Sequence, residues 1–321
     1  MPELPAPVSQ PTAPAPQAAA PVSQPTVPAP QAAAPASPSG AVLHSPLRRR
    51  LPNRRLALVL FVVMLSLLAA VVCAGIALAP TATATDFSQK NLSPGLGHLF
   101  GTDWMGRDMF ARTTAGLATS VLVGLLAAGA SACIALVLGM VAALGGKKAD
   151  GVVLWLVDLV MGIPHILLIL LISFALGKGF WGVAVGVALT HWTSLARVVR
   201  AEVIQCRQAP YVALARRLGR GPLDVAARHM LPAVLPQFLV GLILLFPHAI
   251  LHEAAITFLG FGLPPELPAI GSILSEAVTY LSSGMWWLAL LPGVALLAAV
   301  LLFDRAGACL RSLIDPYRAQ E

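Results

Sequence analysis

Six long apolar stretches constrain the fold of this chain more than any other feature. They cover residues 56–79, 117–144, 152–176, 180–198, 236–260 and 285–303. At about 1.5 Å per residue, each is close to the length of an α-helix that crosses the ~30 Å hydrocarbon core of a bilayer. Only 11% of the residues are charged, against roughly 25% in a soluble domain. The sequence therefore predicts an all-α membrane protein with about six transmembrane helices.

The basic residues give these helices an orientation. If both termini lie in the cytoplasm, only Lys90, Arg107, Arg112 and Lys178 of the 21 basic residues fall on the outer side. The positive-inside rule predicts this arrangement, which is the N-in, C-in topology of a multi-pass protein of the bacterial inner membrane. The basic residues flank helices and lack stacking aromatic partners, so the net charge of +7 does not indicate nucleic-acid binding.

Composition divides the chain into four segments. Residues 1–46 are rich in Pro and Ala and repeat the sequence PVSQPT, which predicts a disordered cytoplasmic tail. Residues 47–80 are predicted to be the first transmembrane helix with its basic flank. We interpret this helix as uncleaved, because its apolar run exceeds the roughly 7–15 residues of a signal peptide. Residues 81–116 are predicted to be a periplasmic linker, and residues 117–321 the helical core.

The longest connection within the core, the cytoplasmic loop 199–235, has a helix–turn–helix pattern. Pro210 is suited to the start of a first helix, Gly219 to its C-terminal cap, and Pro222 to the first turn of a second helix. The loop is amphipathic and rich in arginine. We therefore predict a rigid basic hairpin that a partner protein binds.

The spacing within this loop resembles the "EAA loop" in the permeases of binding-protein-dependent ABC importers. That family has a Glu-Ala-Ala triplet, a Gly six residues after the Glu, and a Leu-Pro pair eighteen residues after it. The corresponding residues here are Ala213, Leu214, Ala215, Gly219, Leu231 and Pro232. Ala213 thus stands in the place of the family Glu. A literal Glu-Ala-Ala triplet at 253–255 lies inside the fifth apolar stretch and has no Gly six residues on.

Three further motifs narrow the resemblance to the peptide/nickel subfamily. The first is a GTDxxGRD element between the first two helices, made of Gly101, Thr102, Asp103, Gly106, Arg107 and Asp108. Residues 257–262 resemble an SFLGLG stretch, and residues 310–316 resemble an LRDxLDP tail. Together with the loop, these motifs are similar to the second ("C") permease of dipeptide, oligopeptide and nickel importers.

The resemblance implies a transport subunit that forms half of a translocation pathway for di- or oligopeptides or for nickel as a chelate. Its implied partners are a second permease subunit, two ATP-binding subunits, a periplasmic or lipid-anchored substrate-binding protein, and membrane lipid. No cofactor and no enzymatic activity are expected. The chain lacks a GxxxxGK[ST] phosphate loop, so ATP hydrolysis is assigned to a separate chain. The alternative is a stand-alone secondary transporter or channel. Such a protein would need an internal inverted repeat, and we find none in the sequence.

Two histidines in the fifth apolar stretch are candidate pathway residues. His248 and His252 are four residues apart, so they lie on one face of a helix. Ionisable groups inside a membrane are costly and require a reason. They could line a polar pathway for a peptide or metal chelate, or they could hydrogen-bond to neighbouring helices. The sequence leaves both interpretations open and predicts no firm metal site.

Other polar residues in the apolar stretches are assigned structural roles. Asp158 and the Pro164-His165 pair are predicted to pack within a third helix that is kinked at the proline. His191 is interpreted as part of an interfacial anchor near the cytoplasmic end of the fourth helix. Residues 264–284 contain no Lys or Arg and are expected to face outward, where a binding protein would dock.

Overall fold

A computed structural model describes residues 54–314, which form ten α-helices. These are α1 (Arg54–Thr83), α2 (Met109–Leu144), α3 (Gly146–Gly162), α4 (His165–Ala175), α5 (Gly179–Arg207), α6 (Pro210–Arg217), α7 (Pro222–Val225), α8 (Leu231–Phe258), α9 (Ile270–Leu281) and α10 (Trp287–Ile314). A π-helical turn, Ala226–Met230, joins α7 to α8. The predicted tail 1–46 and the last two residues of the LRDxLDP-like motif lie outside the described residues.

Five helical segments among the described residues are long and apolar enough to cross a membrane, and a sixth is counted if α3 and α4 form one span. The prediction of an all-α protein with about six membrane helices is therefore confirmed. The third predicted helix is not continuous, however, because α3 and α4 meet at an angle of 93°. Ile163 adopts an extended conformation at this break, since the ring of Pro164 disfavours the helical region for the residue before it. The predicted kink is thus a bend of nearly a right angle between α3 and α4.

Several helices extend beyond the apolar stretches that predicted them. α2 begins at Met109 rather than at residue 117, and α5 continues to Arg207 rather than ending at residue 198. Hydropathy marks only the part of a helix that suits lipid, whereas the backbone continues as a helix through polar residues. The short apolar helix α9 was missed, because its 12 residues are too few for a membrane span.

Two apolar clusters hold the helices together, and both include residues of α2 and α8. One cluster joins these two helices to α3, α4, α5 and the start of the α6 segment, and the other joins them to α1, α9 and α10. The face of α2 toward the first cluster consists largely of alanine, including the buried Ala128 and Ala135. A Cβ atom at Gly139 of α2 would lie 2.8 Å from the Val199 side chain of α5. Small residues thus let α2 and α5 approach closely, as in other membrane helix pairs.

The packing of α4 and α8 against α5 also leaves an open cavity between them. The three helices, with the end of α3, surround a cavity of about 820 Å³. The change of direction at Pro164 brings the first turn of α4 into the wall of this cavity. The fold therefore positions residues from three separated parts of the sequence around one opening.

Candidate functional site

The GTDxxGRD element organises the segment between α1 and α2, which we call the linker (residues 84–108). Gly101 and Gly106 have φ angles of 73° and 76°, in the left-handed region that favours glycine. At Gly106 a Cβ atom would overlap the backbone carbonyl of Asp86. The two glycines of the motif are therefore required by backbone geometry. Close to Gly106, hydrogen bonds from Ser88 also lower the pKa of the Asp86 carboxyl below its ordinary value.

The polar residues of the element hold the linker together and cap α2. Asp108 caps α2 by accepting a hydrogen bond from the backbone N–H of Ala111 at 2.8 Å. Its other carboxylate oxygen lies 2.7 Å from Nδ1 of His98. The hydroxyl of Thr102 donates to the carbonyl of Gln89 and is fully buried. These contacts assign the motif a structural role.

A buried ion cluster connects this element to α9. Arg112, in the first turns of α2, donates to Asp103 Oδ2 at 3.0 Å and to both carboxylate oxygens of Glu276 at 2.8 Å. Arg107 bonds the same two acids, Asp103 at 2.6 Å and Glu276 at 3.1 Å. Glu276 lies in the segment that was expected to face a binding protein. Both of its oxygens are instead engaged within the chain, so it is not a free docking charge.

The loop between α5 and α8 has the predicted helix–turn–helix form, and we call residues 209–232 the hairpin. Pro210 and Pro222 stand at the first positions of α6 and α7. Gly219 has a φ of 81° and ends α6, where its N–H donates to the Arg216 carbonyl at 3.0 Å and the N–H of Arg220 reaches the Ala215 carbonyl at 3.2 Å. This pair of bonds is a Schellman cap.

The six residues that match the family loop occupy different environments. Leu231 and Pro232 begin α8, and Ala215 is buried against the core, whereas Ala213, Leu214 and Gly219 are exposed. Leu218 and Leu223 are also exposed, at 73% and 84%. The hairpin thus exposes three apolar side chains, those of Leu214, Leu218 and Leu223, and we call them the apolar ridge.

The hairpin is tied to the membrane helices by polar contacts as well as by packing. The hydroxyl of Tyr211 in α6 lies 3.2 Å from the Cys206 sulfur in α5, and this hydrogen bond raises the pKa of Tyr211 above its ordinary value. One residue on, Arg207 donates to the carbonyl of Ala143 at the end of α2. The end of α5 therefore links the hairpin to α2.

The cavity between α4, α5 and α8 contains the two histidines for which the sequence left a pathway role and a structural role open. His248 and His252 of α8 both line it. The structure adds His165 from the start of α4 and His191 from α5 to the same wall. The interpretation of His191 as an interfacial anchor is wrong, because the residue lies in the middle of α5 and is 7% exposed.

His165, which was assigned to helix packing, does pack against His191 and His252 of neighbouring helices, and it also lines this cavity. One signal in the sequence could have pointed to it: an ionisable residue inside a membrane-spanning stretch is a candidate functional residue. No sequence spacing connects His165 to the other three histidines, which are far from it along the chain. We call His165, His191, His248 and His252, with the space they enclose, the histidine cavity.

Residues 257–262, the SFLGLG-like stretch, end α8 next to a buried acid. The hydroxyl of Thr257 donates to Oε1 of Glu253 at 2.8 Å and accepts from the N–H of Leu263 at 3.2 Å. A Cβ atom at Gly262 would overlap Thr257. This motif therefore has a structural role at the end of α8.

Ion pairs also join α3 to α5. Asp158, which was expected to pack within a helix, accepts from Arg197 at 2.8 Å, and both side chains are largely exposed. Asp150 receives two bonds from Arg200, at 2.5 and 2.6 Å. The two acidic residues of α3 therefore have partners on α5.

Comparison with known proteins identifies the class that this arrangement of helices represents. Residues 135–315 match the family model described as "Binding-protein-dependent transport system inner membrane component". The match covers more than half of the chain, and the chain belongs to this family. It is a multi-pass membrane protein and a permease of the binding-protein-dependent ABC transporter class.

Two relatives place the chain within the class. It is 37% identical over 273 residues to the "Putative peptide transport system permease protein" of Brucella suis biovar 1, covering 84% of this chain and 90% of the relative. It is 29% identical over 270 residues to the "Dipeptide transport system permease protein DppC" of Bacillus subtilis, covering 84% of each. These similarities agree with the subfamily that the four motifs indicate.

Proposed function

We propose that this chain is one of two permease subunits in an ABC importer of peptides in the bacterial inner membrane. In this proposal it forms half of the pathway, a separate ATPase binds the hairpin, and a substrate-binding protein delivers the cargo on the opposite face. The names of the relatives support peptides as the substrate class. A stand-alone secondary transporter or channel is disfavoured, because the family model describes a component of a binding-protein-dependent system.

The observation that carries the coupling proposal is the exposed ridge of the hairpin. Leu214, Leu218 and Leu223 are 58%, 73% and 84% exposed on a segment whose other face packs on the protein. Arg216 and Arg217 are exposed beside them, so the ridge is both apolar and basic. Such a surface suits a groove with apolar walls and an acidic rim. Because Ala213 replaces the family Glu, this docking does not use a carboxylate at that position.

The links from the hairpin to α5 and α2 support a mechanical role. Tyr211 connects α6 to the end of α5, and Arg207 connects the end of α5 to α2. A displacement of the hairpin by an ATPase would therefore move α5, which forms part of the cavity wall. This connection is the route by which we propose that ATP-driven closure opens and closes the pathway.

The size of the cavity supports a small organic molecule as the substrate. Its volume of about 820 Å³ falls within the roughly 300–1,000 Å³ of small-molecule sites. A nickel chelate is the second candidate cargo, and the four histidines in the cavity wall are the observation that favours it. Uptake of a labelled dipeptide and of labelled nickel, each measured with its own binding protein present, would decide between the two.

The coupling proposal is tested by Leu214→Asp with Leu218→Asp on the hairpin. We expect the variant to insert in the membrane, to lose its ATPase subunit during purification, and to lose ATP-dependent uptake. The matched control is Leu96→Asp, which places the same charge on a fully exposed leucine of the linker and should retain the ATPase. If the hairpin variant retained its ATPase and its uptake, the hairpin would not be the coupling site.

A further inference from the structure

We propose that His165, His191 and His252 form a binding site for one divalent transition-metal ion inside the histidine cavity. The three residues come from α4, α5 and α8. One ring nitrogen of each lies within 4.8 Å of a ring nitrogen of the others. This inference rests on the geometry of the cavity and requires neither peptide transport nor the coupling proposed above, although the same histidines favour the second candidate cargo, a nickel chelate.

The three rings are mutual neighbours. Their centroids are 4.4 Å apart for His165 and His191, 4.8 Å for His191 and His252, and 5.0 Å for His165 and His252. Each pair meets edge to face, at angles between 69° and 82°. Nε2 of His165 lies 3.2 Å from Nδ1 of His191, and the two Nε2 atoms lie 3.4 Å apart. Two ligand nitrogens on a tetrahedral ion with bonds of about 2.0–2.1 Å are roughly 3.3–3.4 Å apart, so this pair already has the required separation.

Backbone hydrogen bonds orient two of the three rings for metal binding. Nδ1 of His191 lies 3.0 Å from the carbonyl of Val187, and Nδ1 of His252 lies 2.8 Å from the carbonyl of His248. A carbonyl only accepts, so the tautomer that satisfies each of these contacts has the proton on Nδ1. The Nε2 of each ring is then left with a free lone pair. A metal-binding histidine is commonly held in this way, with its second nitrogen donating to a carbonyl.

The chemistry of the cavity selects the kind of ion. Among the described residues that line it, the four histidines are the only ionisable side chains. Mg²⁺ and Ca²⁺ prefer carboxylate and carbonyl oxygens, whereas neutral imidazoles suit Zn²⁺, Ni²⁺, Co²⁺ and Cu²⁺. Three nitrogens leave at least one coordination position open toward the cavity. A donor from water or from a transported molecule would fill that position.

His248 provides a matched comparison within the same cavity. It lies one turn from His252 on α8, and its Nδ1 bonds the carbonyl of Leu244 at 2.9 Å. It lines the cavity but is outside the group of three whose nitrogens converge. Replacing it removes an imidazole from the same wall without removing a proposed ligand.

The test is a titration of the full chain, together with the subunits that co-purify with it, in lipid nanodiscs and with an affinity tag that contains no histidine. Co²⁺ is the probe, because a three-imidazole tetrahedral site gives it an intense visible absorption, and Zn²⁺ then competes for the same site. We expect saturable one-to-one binding. The variants His165→Gln, His191→Gln and His252→Gln should each weaken it by at least the roughly 10–100-fold that loss of an outer-sphere partner costs.

The control His248→Gln should bind Co²⁺ as the parent chain does. Thermal unfolding of every variant without metal distinguishes a lost ligand from a misfolded protein. Absence of saturable absorption in the folded parent chain would overturn the proposal. A loss of binding in His248→Gln as large as in the other three would overturn the assignment of these three ligands. Neither result depends on peptide uptake or on ATPase binding, so the proposed function is tested separately.

Discussion

Replacing Arg112 by Met tests whether the ion cluster holds α9 against α2. The Arg112 side chain is 3% exposed and makes three hydrogen bonds, one to Asp103 and two to Glu276. Met retains an unbranched apolar stem that fills much of the same space. The substitution therefore removes the charge and the three bonds while leaving most of the packing in place.

The expected cost follows from what remains in the cluster. Breaking a buried ion pair by removing one partner costs about 3–5 kcal/mol. Here Arg107 still bonds both Asp103 and Glu276, and the Glu276 side chain is 26% exposed. Both acids keep a positive partner, so we expect a loss at or just below the lower end of that range, about 2–3 kcal/mol in the free energy of unfolding. This loss measures how much the contact between α2 and α9 contributes to the free energy of unfolding.

The assay is equilibrium unfolding of the purified protein in a lipid or mild detergent environment, measured for Arg112→Met, Glu276→Gln and the double variant. The coupling energy from this cycle should fall within about 0.5–3 kcal/mol. Arg220→Met is the control, because Arg220 and Asp224 form an exposed pair four residues apart, worth about 0.3–0.5 kcal/mol. A cost for Arg112→Met no larger than that of the control, or a coupling energy of zero, would refute the reasoning.

Two further predictions concern glycines. Gly106→Ala should destabilise the linker, because the new Cβ overlaps the carbonyl of Asp86 and the φ of 76° is unfavourable for alanine. Gly97→Ala, with no atom near its new Cβ, should leave the unfolding midpoint unchanged, and equal midpoints for the two variants would contradict this account. Gly75→Ala should separate α1 from the backbone of α2 at a cost of about 1–3 kcal/mol. Gly129→Ala, in open space on α2, should instead stabilise by about 0.5–1 kcal/mol, and a loss there of the size expected for Gly75→Ala would count against the packing argument.

Local signals predicted much of the α5–α8 connection. Pro210, Gly219 and Pro222 restrict backbone angles by their own covalent structure, so the turn they form does not depend on distant contacts. The hairpin geometry agrees with the prediction for this reason. Its role as the ATPase docking site remains a proposal, because binding depends on a partner surface.

The break at Pro164 shows where local reasoning stops. The proline predicts an interruption, but the angle of 93° depends on how α3 and α4 pack against α5. The same limit applies to Glu276, whose partner Arg112 lies far from it in the sequence. A charge pattern indicates that a residue needs a partner without indicating which one.

The sequence by itself determined that this protein lies in a lipid bilayer, that it has about six membrane-spanning segments, and to which family it belongs. Hydropathy, turn residues and motif spacing are properties of short segments, and each is set by local chemistry. Only the tertiary structure brought His165, His191 and His252 together. They converge because α4, α5 and α8 pack against one another and because the chain bends at Pro164. Neither the packing nor the bend leaves a periodic signal along the chain. The hairpin could therefore be predicted from its residues, whereas the histidine cavity required the fold.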